Sequence, residues 1–81
     1  MEIELAGNII VFQNYDQPGV IGRVGAILGK YDINIADFRL ARKDESKEAL
    51  SFIKTDEEVK DEILKEILNI DGAIAITKVK L

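Results

Sequence analysis

The stretch that most constrains the fold runs from Ile9 to Tyr31. An apolar run, Ile9-Ile10-Val11-Phe12, leads through Gln13-Asn14-Tyr15 into Asp16-Gln17-Pro18-Gly19. Apolar residues then recur at Val20, Val24, Ile27, Leu28 and Tyr31. The pattern changes from strand-like to helical across four turn-favouring residues. Asp16 can accept hydrogen bonds from nearby backbone, whereas Pro18 presets φ and donates none. This spacing predicts a strand over 8–15 that turns sharply into a helix over 18–30, with Pro18 in the first helical turn. The N–H groups of Gly19, Val20 and Ile21 would then point out of the helix start, an end that the helix dipole makes favourable to an anion. A carboxylate beside such a start can hold both ends of a zwitterion.

The predicted helix carries Gly22, Gly25 and Gly29 on one face. Each costs about 1 kcal/mol against Ala in a helix interior. A face of bare backbone permits close approach, either by this chain's own sheet or helix or by a second subunit. Lys30-Tyr31-Asp32 ends the helix, although Asp32 lacks the left-handed ease of Gly. A second strand is expected over 34–42, with Ala36, Phe38 and Leu40 inward and Asp37 and Arg39 outward. Lys43-Asp44-Glu45-Ser46-Lys47 reads as a hairpin loop, and a third strand covers 48–55. Thr55 followed by Glu58 fits a capping box, so a second helix is expected over 56–68. Asn69-Ile70-Asp71-Gly72 closes it, and a fourth strand runs over 73–81. Residues 1–7 read as a lead-in or linker remnant, leaving one domain over 8–81.

The order β-α-β-β-α-β predicts an α+β fold, the ferredoxin-like sandwich: a four-stranded antiparallel sheet with two helices on one face. Right-handed crossovers put strands one and three in the middle and strands two and four at the edges. Strand two is long and fairly apolar, so its free edge is the expected dimer seam. Strand one is apolar on both faces, as expected for a central strand covered by helices on one side and by a partner on the other.

Composition narrows the chemistry. The 81 residues contain neither Cys nor His, which removes the thiol nucleophile, the usual general base and the commonest metal ligands. A net charge of −4 makes a poor phosphate-backbone binder. Phe12 and Phe52, on the central strands where RNA-binding sheets display stacking aromatics, therefore read as core residues. Neither a membrane-length apolar run nor a signal peptide is visible, so the expectation is a cytoplasmic domain that binds no nucleic acid or membrane and needs no cofactor or metal.

Asp16-Gln17-Pro18-Gly19-Val20-Ile21-Gly22-Arg23-Val24-Gly25, Ile33-Asn34-Ile35-Ala36 and Asp71-Gly72-Ala73-Ile74 together resemble an ACT domain, over about 8–81. Such domains bind small molecules, usually amino acids, and regulate amino-acid metabolism. Within the family, Gly7 to Phe12 and the glycine-rich helix most resemble the C-terminal serine-binding domains of D-3-phosphoglycerate dehydrogenases. Those of iron–sulfur L-serine dehydratases come second. The resemblance implies a homodimer through strand two and helix one, with L-serine in the seam. It also implies ligand-binding positions at Asn14, Asp16 and Asn34 and backbone contacts at Gly19, Val20 and Ile21. Asn14 departs from the His or aromatic residue that relatives often carry there.

Each position also has a plainer reading. Asp16 can cap its own turn, Asn34 can serve as a strand-entry turn residue, and Arg23 and Arg39 read as surface or seam ion pairs. Three functions stay open: an amino-acid-binding regulatory module, a dimerisation module without ligand, and an acylphosphatase-like hydrolase on the same fold. The last wants an Arg in a phosphate-cradling loop, where Asp16 would repel the substrate.

Overall fold

The computed structural model describes residues 7–42 and 47–81. Its elements follow the expected order: β1 (Asn8–Tyr15), α1 (Val20–Lys30), β2 (Ile35–Arg42), β3 (Glu48–Thr55), α2 (Asp61–Leu68) and β4 (Ala73–Lys80). Most of the expected lead-in (1–6 of 1–7) and most of the hairpin loop (43–46) lie outside the described residues. The sheet order is β2-β3-β1-β4, antiparallel at every pairing, with β1 and β3 central and β2 and β4 at the edges.

Strand alternation sorts the core. Ile10 and Phe12 of β1, Ile53 of β3, and the partly buried Phe38 of β2 and Ile76 of β4 share one face. Both helices pack there, through Val20, Val24 and Leu28 of α1 and Ile63, Leu64 and Ile67 of α2. Phe12 is fully buried, a core residue as its position implied. The other face of the central strands carries Ile9, Val11, Leu50 and Phe52.

Three local readings change. First, α1 begins at Val20, two residues later than expected. Gly19 is its N-cap with φ 88°, a left-handed conformation open to Gly. Pro18 therefore lies in the turn and not in the first helical turn.

Second, α2 begins at Asp61, and the Thr55–Glu58 capping box does not form. Thr55 belongs to β3, and its hydroxyl donates to Glu57 O at 2.7 Å. Asp56 and Glu57 are occupied at the entry to β2: Asp56 Oδ2 accepts from Asn34 Nδ2 at 2.6 Å, and Glu57 Oε1 accepts from Asn34 N at 2.7 Å. The acidic run thus ties two strand ends together, and Lys60 becomes the N-cap.

Third, β2 is one residue shorter than expected, with a register irregularity between Ile35 and Asp37. Ala36 is exposed there, not inward as its alternation with Phe38 implied.

The end of α1 shows how Asp32 manages without being Gly. It adopts φ 57° and its N–H donates to Gly29 O at 3.1 Å, while Ile33 N donates to Leu28 O at 2.9 Å. This is the Schellman pattern, and buried Ile33 and Leu28 supply its usual apolar contact.

Candidate functional site

The turn between β1 and α1 is pinned from both sides. Tyr15 N donates to Gly72 O at 2.8 Å, and Asp16 N donates to Lys47 O at 2.6 Å. Held this way, the turn walls a cavity of about 300 Å³ lined by Asn14, Asp16, Gln17, Gly19, Ile21 and Arg42, with Pro18, Gly22 and Leu40 completing it. That volume is at the lower end of the range for small-molecule pockets. No side chain caps α1, and its first helical hydrogen bond runs from Arg23 N to Gly19 O at 3.0 Å. The N–H groups of Val20, Ile21 and Gly22 therefore precede the helical ladder. The sequence named Gly19, Val20 and Ile21; as the N-cap, Gly19 also leaves its N–H ahead of the ladder, and Gly22 joins the set. Val20 sends its side chain into the core.

Asn14 is the unusual group. It follows Ile10 and Phe12 on the inward face of β1 and is only 2 % exposed. Its Nδ2 donates to Tyr15 O at 2.7 Å, but its Oδ1 is buried with no hydrogen-bond partner among the described residues. A buried unmet acceptor costs about 1–3 kcal/mol, so an arriving donor would recover that loss.

Asp16, at the mouth, is ion-paired: Arg42 Nε lies 3.0 Å from its Oδ2, and both side chains are substantially exposed. The sequence reading did not select Arg42. Strand alternation carried the signal, since Phe38, Leu40 and Arg42 share a face of β2, which runs parallel to β1 and ends beside its exit.

Asn34 does not join this group within one chain. It precedes β2, at the end of the sheet where Asn8 pairs with Thr55, and its amide is held by Asp56. At about 3.3 Å per residue, the eight steps from Asn34 to Arg42 span roughly 26 Å. Another hollow, of about 230 Å³, lies at that end among Ile9, Ile10, Val59 and Lys78. There Lys78 already contacts Val59 O at 3.1 Å and Asp61 at 3.2 Å, and no unmet buried group lines it among the described residues.

The glycine face of α1 is open. Among the described residues, a Cβ added at Gly22, Gly25 or Gly29 would meet nothing within 4 Å. Of the two explanations for the stripe, close packing against this chain's own sheet or second helix is therefore excluded.

The split β-α-β sandwich has a small cavity where its first strand turns into its first helix. The chain belongs to the ACT family: the ACT domain model matches residues 8–72. It is 39 % identical over 75 residues, 93 % of the chain, to the D-3-phosphoglycerate dehydrogenase of Bacillus subtilis. It is also 37 % identical over 81 residues to the probable L-serine dehydratase beta chain of the same organism. The chain spans only 14 % of the first relative's length and 36 % of the second's. Among solved structures, the ACT domain from GTP pyrophosphokinase of Chlorobium tepidum superposes with a TM-score of 0.70 at 16 % identity, covering 91 % of this chain and 97 % of that one. The regulatory subunit of aspartate kinase from Thermus thermophilus gives a TM-score of 0.60 at 20 % identity, over 96 % and 53 % of the respective chains. These structural likenesses confirm the fold. The chain is thus a regulatory ACT domain resembling those of the dehydrogenase and of the dehydratase beta chain.

Proposed function

We propose that this domain senses an amino acid, L-serine, at the β1–α1 corner and regulates a larger enzyme, a D-3-phosphoglycerate dehydrogenase, through a dimer seam that the bound amino acid bridges. The observation that carries the reading is Asn14: a buried acceptor without a partner, on a cavity also lined by a carboxylate and by a helix start whose amides precede the ladder. An α-ammonium suits Asp16 and Asn14 Oδ1, and an α-carboxylate suits the amides. Of the two relatives named above, the probable L-serine dehydratase beta chain carries serine in its name, and the other is a D-3-phosphoglycerate dehydrogenase.

A seam supplies what one chain lacks. Two copies related by a two-fold axis pair identical edges antiparallel. If β2 meets β2 centred on Phe38, Asn34 of each copy comes beside Arg42 of the other, and the 26 Å separation within one chain disappears. The open glycine face of α1 supports the same contact. Ligand held by both copies then favours one seam geometry, and its differential affinity shifts the attached enzyme.

A thermal-shift screen of the isolated domain against the common amino acids tests this. Ligand at a hundred times its dissociation constant adds about 2.7 kcal/mol. For a chain of this size each kcal/mol moves the midpoint by roughly 4–8 °C. A shift of about 10 °C or more with L-serine is expected; no shift with any amino acid refutes the sensing reading and leaves a dimerisation module.

A further inference from the structure

We infer that Arg42 is a ligand-binding residue, and that the Asp16–Arg42 ion pair is a self-neutralised cradle that a zwitterion opens by inserting between the two charges. The inference rests on the amino-acid-sensing reading above and adds to it the group that selects for a free carboxylate.

Arg42 Nε stands 3.0 Å from Asp16 Oδ2 across the mouth of the cavity that both line. Each is thereby satisfied by the other while the cavity stays accessible. An exposed pair of this kind contributes little to stability, since solvent screens it, so its separation is not opposed by a large loss. An α-amino acid carries the same two charges on groups attached to one carbon. Its ammonium replaces the guanidinium at Asp16, and its carboxylate replaces the aspartate at Arg42. The planar guanidinium presents paired N–H donors to such a carboxylate, a geometry that a lysine ammonium does not reproduce.

An ion pair on a turn is not itself a site. The second observation is Asn14, 2 % exposed, whose Oδ1 has no partner among the described residues and which lines the same cavity. It gives the cradle depth. With the ammonium between Asp16 and Asn14 Oδ1, the α-carboxylate offers one oxygen to the amides at the start of α1 and the other to Arg42, which line the same cavity. Leu40, two residues before Arg42 on the same face, lines the cavity beside it. The site therefore selects two opposite charges held close together, and a ligand lacking either leaves Asp16 or Arg42 to be met by water.

The test is calorimetric titration of wild type, Arg42→Gln and Arg42→Lys with L-serine, L-serinamide and 3-hydroxypropionate. Wild type is expected to bind L-serine at least tenfold more tightly than either analogue. Arg42→Gln is expected to weaken L-serine by tenfold or more while leaving L-serinamide unchanged or tighter, so that the preference for the carboxylate collapses. Arg42→Lys keeps the charge without the fork and falls between. Unchanged L-serine affinity in Arg42→Gln overturns the inference, as does an equal loss for L-serine and L-serinamide, which would mark Arg42 as merely structural. These outcomes leave amino-acid sensing intact, because wild type still binds. Failure of wild type to bind L-serine overturns the serine assignment and the cradle together.

Discussion

Gly25→Ala separates the stability of one chain from the strength of the seam, because the two should move in opposite directions. Gly25 lies in the interior of α1, where Ala is favoured by roughly 0.5–1 kcal/mol. Most such substitutions are complicated by the space available, but here the added Cβ meets nothing within 4 Å among the described residues. The isolated chain should therefore gain nearly the whole propensity difference, raising the melting midpoint by about 2–8 °C at concentrations where the protein is monomeric. If α1 packs against its mate through this face, the same methyl intrudes where the backbones approach. Overpacking of that kind costs about 1–3 kcal/mol, or five- to hundredfold in the association constant. Sedimentation equilibrium gives the association constant, and dilute thermal melts give the monomer term. A destabilised monomer would mean that the face is covered within one chain. A stabilised monomer with undiminished association would mean that α1 does not form the seam.

Further outcomes follow from the turns and the surface. Asp32→Gly relieves a left-handed residue at the end of α1 and should stabilise the chain by about 1 kcal/mol, read as a midpoint 4–8 °C higher. Gly72→Ala should do the reverse: its φ is 97° and the new Cβ would stand 3.2 Å from Val20 Cγ2, so a loss of about 1–3 kcal/mol is expected by urea titration. Glu66 is hydrogen-bonded by Lys30 and Tyr31, which hold its carboxyl below the usual carboxylate range. A folded-state pKa below the unfolded one adds stability above the unfolded value and loses it as pH falls through the folded value. Glu66→Gln should accordingly flatten the acid limb of the stability profile, measured by melts from neutral pH downward.

Much of this molecule is legible in its sequence because its strongest signals are periodic. The strand-to-helix change across Asp16 to Gly19 fixes the corner. The alternation of Ile10, Phe12 and Asn14 fixes which side chains look inward. The second helix start is not legible locally for a physical reason: Thr55, Asp56, Glu57 and Glu58 form a capping pattern, but Asp56 and Glu57 are drawn to Asn34, a residue more than twenty positions away. Local pattern cannot register such a tertiary competitor. Arg42 was readable by counting along β2 from Phe38. It escaped because its significance comes from Asp16, which only the parallel alignment of β2 with β1 brings near. Likewise, nothing local reveals that Asn14 Oδ1 is unmet, since this depends on everything packed around it.

The central claim is that one binding site takes Asp16 from one copy and Asn34 from another. Subunit complementation tests it most directly. Asp16→Ala and Asn34→Ala proteins are titrated with L-serine separately, then mixed in equal amounts, re-equilibrated and titrated again. Each alone should fail to bind, while the mixture should recover about one site in four, because each mixed dimer retains one complete site and half of the dimers are mixed. Recovery of none, or undiminished binding by either variant alone, would contradict a site shared between copies.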